Sequence, residues 1–164
     1  MDALATQVGM ALKSHGMMLA TAESCTGGQV ATAVTAIAGS SAWFERGFVT
    51  YTNVAKVEML GVRQATLGQH GAVSELTVRE MAQGALRYSH AHVALAVSGI
   101  AGPSGGSPDK PVGTIWFAWS LRDDGTTLAR IHQLSGNRSE IRNQATRIAL
   151  QGVVDLLNGL KLAG

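Results

Sequence analysis

Residues 21–28, Thr-Ala-Glu-Ser-Cys-Thr-Gly-Gly, join a strand-like run to a helix-like run, which limits the chain to folds in which a helix begins where a strand ends. Met17, Met18, Leu19 and Ala20 read as a short buried strand. Val30, Ala31, Val34, Ile37 and Ala38 recur at helical spacing after the two glycines. A helix N-terminus presents unpaired N–H groups and partial positive charge, so an anion or a developing oxyanion is stabilised there. Ser24, Cys25 and Thr26 supply three candidate nucleophiles or donors beside it. The plainer reading is a capping Ser24 or Thr26 followed by a glycine turn.

The rest of the chain alternates in the same manner. Leu4, Val8, Ala11 and Leu12 share one face of a first helix that ends near His15 and Gly16. Gly39, Ser40 and Ser41 break the helix after the loop, and residues 43–52 are aromatic and β-branched enough for a strand. Asn53 is placed to cap a short helix carrying Val54, Val57 and Met59 and ended by Gly61, and residues 64–71 read as irregular or a helical turn. Ser74 can cap a longer helix with Val78, Met81, Ala82 and Ala85 on one side. Residues 92–98 are a buried strand, residues 99–108 are too rich in Gly and Pro for any regular element, and residues 114–121 and 126–134 form an antiparallel hairpin around Asp123, Asp124 and Gly125. A final helix over residues 139–160 carries Ile141, Ala145, Ile148, Ala149, Leu156, Leu157 and Leu160 on one stripe. This order predicts a single α/β domain over residues 1–164, a three-layer α/β/α sandwich with a mixed, mostly parallel sheet ending in a β-hairpin and a long C-terminal helix. Ligands of such sheets gather beyond the carboxyl ends of the parallel strands, where the loops after Ala22, Thr52 and Ser98 would meet.

Charge and cysteine usage narrow the partners. With 13 basic and 11 acidic residues the net charge is +2, which favours neither nucleic acid nor a membrane surface. The excess is local, since Arg130, Arg138, Arg142, Arg147 and Lys161 face only Glu140 and Asp155 after residue 125, a setting for a small anionic ligand. One cysteine excludes an intrachain disulfide and a cysteine-rich zinc site, and no signal-type or membrane-spanning run is present, so a cytoplasmic protein is expected. Twenty glycines, many in loops, suggest backbone lying close to a ligand. Homo-oligomerisation is left open.

Ser24 needs a group to take its proton. The five histidines sit in ordinary contexts, whereas Lys56 lies in the first turn of its helix, where it opposes the dipole and calls for a reason other than stability. A buried lysine has a lowered pKa and can act as a base, as serine–lysine pairs do, and Tyr51 could relay the proton or hold the amine. Cys25 is the alternative nucleophile, because a helix N-terminus depresses a thiol pKa. The glycine-rich loop fits neither a Walker nor a dinucleotide fingerprint, and no His-Glu-x-x-His motif or carboxylate cluster suggests a metal.

The segments at residues 22–28 (AESCTGG), 39–44 (GSSAWF), 47–51 (GFVTY), 71–75 (GAVSE) and 98–103 (SGIAGP), in this order, closely resemble the CinA C-terminal domain family, and the likeness covers nearly the whole chain. The resemblance implies hydrolysis of nicotinamide mononucleotide to nicotinate mononucleotide and ammonia in pyridine-nucleotide salvage, with no metal or cofactor. It marks Ser24 as nucleophile, Lys56 as base and Tyr51 as its assistant. Thr26, Gly27, Gly28, Gly39, Ser40, Ser41, Ser98, Gly99, Gly102, Gly105 and Arg138 form the expected substrate-binding set, with Arg138 as phosphate ligand and N–H groups of residues 26–28 receiving the oxyanion. Asn137 stands where the family pattern has aspartate, and Ser98 where threonine is common. Larger members carry a further nucleotide-hydrolase domain ahead of this one, so only the amidohydrolase activity is expected here. A non-catalytic nucleotide-binding module is the competing expectation.

Overall fold

The computed structural model describes residues 1–159, so Leu160 and Lys161 lie outside the described residues. Besides a 3-10 turn at Ser40–Ala42, eleven helices and strands follow one another among the described residues: α1 (Asp2–Ser14), β1 (Leu19–Glu23), α2 (Gln29–Thr35), β2 (Phe44–Val49), α3 (Asn53–Leu60), α4 (Gln64–His70), α5 (Glu75–Arg87), β3 (Val93–Gly99), β4 (Thr114–Leu121), β5 (Thr127–Gln133) and α6 (Arg138–Leu157). The strands form one sheet in the order β2-β1-β3-β4-β5. β1 is parallel to both β2 and β3, β4 is antiparallel to β3, and β5 is antiparallel to β4. All strands but β4 therefore point the same way, although the pairings divide evenly between parallel and antiparallel. The expected α/β/α sandwich with a mixed sheet is what forms.

Boundaries shift where local polar groups decide. Thr52 caps α3 in place of the expected Asn53, its hydroxyl accepting from the Ala55 N–H at 3.1 Å. Ser74 caps α5 as expected, accepting from the Thr77 N–H. Residues 64–70, read as irregular or a helical turn, are the helix α4. α2 ends at Thr35, so Ile37 and Ala38 fall beyond it. Asn137 starts α6 with a full capping box: its side chain accepts from the Glu140 N–H and its own N–H donates to Glu140 Oε1. Asparagine thus provides the acceptor that aspartate would.

Successive residues of a strand face opposite sides of a sheet, and here the two sides differ in bulk. Leu19, Val93, Leu95, Val97, Ile115, Phe117 and Trp119 face one layer, where they pack with Val8 and Leu12 of α1, Val30 and Val34 of α2, and Ile141, Ala145 and Ala149 of α6. Ala20, Ala22, Ala94, Ala96, Ala118 and Ala129 face the other, against Leu60 of α3 and Val78, Met81, Ala82 and Ala85 of α5. Alanines at the centre of this face, with Phe48 and Trp116 packed at its sides, let α5 lie close to the strands.

Two mid-helix glycines serve contacts of the same kind. A Cβ on Gly84 of α5 would stand 1.9 Å from the Leu60 carbonyl oxygen at the end of α3, and one on Gly152 of α6 would stand 2.2 Å from the Trp119 indole. Trp119 Nε1–H donates to the Ala149 carbonyl at 2.9 Å, which fixes the ring on that helix. Part of the glycine surplus therefore serves helix packing, where the sequence pattern suggested loops near a ligand. Among the described residues no helix is long and apolar enough to cross a membrane.

Gly84→Ala separates these effects. Propensity alone would stabilise a helix by about 1 kcal/mol, but a Cβ against a backbone oxygen forces α3 and α5 apart. A net loss of about 1–3 kcal/mol, as for overpacking, and a Tm lower by roughly 2–10 °C is expected in calorimetry. An unchanged or raised Tm would show that the α3–α5 contact is not tight.

Candidate active site

The three parallel strands end side by side. Glu23 pairs in register with Val49 of β2 and Val97 of β3. Two further bonds carry the ladder past the strand ends: Thr50 N–H donates to the Glu23 carbonyl at 2.8 Å, and Ser24 N–H to the Val97 carbonyl at 3.0 Å. Ser24 is thereby fixed between the loop after β2 and the end of β3, which carries Ser98 and Gly99.

Lys56 reaches Ser24 from the second turn of α3. Its Nζ lies 2.9 Å from Ser24 Oγ, 2.8 Å from the Thr50 carbonyl and 3.4 Å from the Tyr51 carbonyl. The residue keeps 1% of its surface exposed. Among the described residues no carboxylate pairs with the amine, and its hydrogen-bond partners are all neutral. Burial of the charged form pulls the lysine pKa down to about 8. The structure thus joins two residues that lie 32 positions apart in sequence and gives the amine a lowered pKa.

The loop between them is held from two sides. Glu23, 1% exposed, turns its carboxylate to the start of α2: Oε1 accepts from the Thr26 hydroxyl at 2.6 Å and the Val30 N–H at 2.9 Å, and Oε2 accepts from the Ala31 N–H at 3.0 Å. The positive end of this helix, expected to receive an external anion, is therefore occupied by the protein's own carboxylate. From the other side Arg142 of α6 donates Nε–H to the Cys25 carbonyl at 3.0 Å and Nη2–H to the Thr26 carbonyl at 3.1 Å. The Gly27 N–H, one of the expected oxyanion donors, is engaged by the Ser24 carbonyl at 3.0 Å. Those of Thr26 and Gly28 meet no acceptor among the described residues. Cys25 is buried in the core, and that burial pushes its thiol up to about 11, the reverse of the depression expected at a helix start.

A cavity of about 220 Å³ opens onto this arrangement, lined by Ser24, Cys25, Tyr51, Lys56, Ala72, Val73, Ser98, Gly99, Ala101 and Arg138. Ser98 Oγ–H donates to the Ala72 carbonyl at 2.8 Å and holds the residue 71–73 segment against β3. Arg138, the first residue of α6, donates Nη1–H to the Gly102 carbonyl at 2.8 Å and Nη2–H to Tyr51 Oη at 3.0 Å. The Tyr51 hydroxyl thus accepts from the arginine, while its main-chain carbonyl accepts from the lysine amine.

Other expected residues fall elsewhere. Gly39, Ser40 and Ser41 lie just ahead of β2, at the amino ends of the strands, with the Leu19 N–H bonded to the Trp43 carbonyl beside them. They are at the opposite end of the sheet from Ser24. The Thr26 side chain is turned to Glu23, and Gly105 is exposed and does not line the cavity. Glu23, the Thr50 carbonyl, Ala72, Val73 and Arg142 went unassigned in the sequence, although a glutamate closing an otherwise apolar strand and an arginine one turn after Arg138 were signals there. No group of three His, Cys, Asp or Glu side chains among the described residues could hold a metal ion.

The CinA C-terminal domain profile matches residues 1–157. The chain belongs to the CinA C-terminal domain family. Among family members it is 60% identical over 149 residues to the nicotinamide-nucleotide amidohydrolase PncC of Escherichia coli K12, a match covering 90% of this chain and 89% of that protein. It is 48% identical to the protein of the same name from Pseudomonas putida, over 93% and 94% of the two chains. The crystal structure of a CinA superfamily protein from Klebsiella pneumoniae superposes with a TM-score of 0.92 at 41% identity, covering 96% of this chain and 98% of that one.

A lysine pKa of about 8 leaves the amine mostly protonated below that pH and mostly neutral above it. Lysine side-chain nitrogen NMR is expected to show one resonance with a midpoint near pH 8, absent in Lys56→Met. A Lys56 midpoint above about 10, the range of solvated lysines, would show that burial does not govern the amine.

Proposed function

We propose that this chain hydrolyses the carboxamide of nicotinamide mononucleotide to nicotinate mononucleotide and ammonia, with Ser24 as nucleophile and Lys56 as base, as a step of pyridine-nucleotide salvage. The observation that carries the reading is the 2.9 Å contact between Lys56 Nζ and Ser24 Oγ at the floor of a cavity. The substrate follows from the 60% identity to a protein named for that activity.

The hydrogen-bond partners of the amine suit the chemistry. A neutral lysine has two N–H bonds and one lone pair. The Thr50 and Tyr51 carbonyls can only accept, so they take the two hydrogens and leave the lone pair toward Ser24 Oγ. Ser24 attacks the carboxamide carbon as its proton passes to Lys56, and the tetrahedral oxyanion is received by loop N–H groups. The lysine, now an ammonium, protonates the amide nitrogen, which leaves as ammonia while the acyl group stays on Ser24. Neutral again, it takes a proton from the water that attacks the acyl group, and returns that proton to Ser24 Oγ as the acyl–oxygen bond breaks and the acid is released. The steps need no cofactor, and a reducing cytoplasm suits the lone thiol of Cys25.

Arg138 is the phosphate ligand in this reading. Its present acceptors are a carbonyl and a phenol, and a phosphate group, whose charge-assisted bonds to guanidinium are stronger, would displace them.

Ser24→Ala is expected to reduce ammonia release by at least about a thousandfold, as loss of an activated nucleophile does, with the thermal unfolding curve retained, while Cys25→Ala stays near the parent rate. Retention of more than about a tenth of the rate, a barrier change of only ~1.4 kcal/mol, would remove Ser24 from the chemistry. Arg138→Ala is expected to raise KM for nicotinamide mononucleotide about ten- to hundredfold, the equivalent of a lost charged hydrogen bond, and to leave KM for nicotinamide riboside nearly unchanged. Equal losses for both substrates would mean that Arg138 supports the cavity wall without reading the phosphate.

A further inference from the structure

α2 cannot lend its N-terminus to a developing oxyanion, because the Glu23 carboxylate accepts the Val30 and Ala31 N–H groups. The stabilising donor must therefore come from the loop backbone, and a loop amide is useful only if its direction is fixed before reaction. Arg142 meets that requirement. Its Nε–H binds the Cys25 carbonyl and its Nη2–H the Thr26 carbonyl, so one planar guanidinium sets two successive peptide units. In a planar trans peptide the N–H points opposite to the C=O. Holding the Cys25 carbonyl toward α6 therefore directs the Thr26 N–H away from Arg142, and that N–H has no acceptor among the described residues. Ser24 and Cys25, just before this peptide, line the cavity, whereas Arg142 does not.

We propose that Arg142 is a positioning residue for the amide hydrolysis proposed above: by fixing the Cys25 and Thr26 carbonyls from behind the loop, it aims the Thr26 N–H at the oxyanion formed on Ser24. Glu23 complements it by holding the Thr26 side chain, so this residue is fixed at its hydroxyl and its carbonyl while its N–H stays free. Lys56 and Arg138 are not bonded to Arg142, and the serine–lysine contact does not run through it. Loop carbonyls, not a phosphate, thus receive the second arginine of α6.

Arg142→Lys and Arg142→Gln test the assignment, because neither side chain can bind two carbonyls in the geometry of a guanidinium. With nicotinamide mononucleotide, kcat is expected to fall about ten- to a thousandfold, the range up to loss of an oxyanion donor, with KM within about threefold of the parent and the midpoint of the kcat–pH profile unmoved. A fluorophosphonate probe, which forms a tetrahedral adduct on an activated serine, is expected to label Ser24 more slowly by a similar factor in both variants. An unchanged kcat and labelling rate would overturn the inference. So would a rise in KM at constant kcat, the mark of a substrate ligand, or a shifted midpoint, the mark of an effect through Lys56. If both variants fail to fold, Arg142 is a structural tie and the inference fails. Wild-type protein labelled by the probe but releasing no ammonia from nicotinamide mononucleotide would remove the substrate reading alone, with the labelling rates still deciding Arg142. No labelling of the wild type would end both.

Discussion

A primary amine almost wholly buried beside a hydroxyl, with no carboxylate paired to it among the described residues, is the constraint from which the rest of this site follows. A buried ammonium without a counter-charge is expensive, and the protein meets that cost by letting Lys56 lose its proton at a mild pH. The strand leading into Ser24 closes on a carboxylate, Glu23, but its oxygens are directed to the start of α2 and the Thr26 hydroxyl. Were that carboxylate turned to Lys56, the pair would be an ordinary buried ion pair and the amine would hold its proton. Directing the carboxylate elsewhere leaves the amine with neutral partners and a lowered pKa.

Much of this was legible from residue types and their context. Lys56 stood out because its helix position has no stabilising explanation, and Ser24 because of the strand-to-helix junction. Their meeting required three parallel strands with a common end, and the alternation of elements supplied that. The polar loop interactions were less legible. A carboxylate one residue before the serine has several places to go, and hydrophobic periodicity carries no information on where a polar side chain turns. Gly39, Ser40 and Ser41 show the reverse error: their local pattern resembles loop chemistry, but their position just ahead of β2 puts them at the far end of the sheet. Tyr51 lines the cavity with its main chain and its phenol facing different partners, a division that residue type alone does not show.

The alternation of bulky and small residues along β3 was visible in the sequence, where it reads simply as buried strand. Its meaning emerges only with the layers assigned. Side chains of α1, α2 and α6 interdigitate with large strand residues, so volume can be traded between partners there. On the α5 side the strands contribute alanines, and the α3–α5 junction is a contact with backbone at Gly84.

That contact gives the far layer a role in setting the geometry of the chemistry. Lys56 is carried by a helix of eight residues whose last residue, Leu60, rests its carbonyl against Gly84. α5 in turn rests on a sheet face whose central strands β1 and β3 contribute alanines there. The reach of the amine to Ser24 is thus referenced to the sheet twice, once through the strand ends and once through α5, much as a jig locates a part from two fixed surfaces. Sequence change in α5 would be felt as misalignment at a site that α5 never touches.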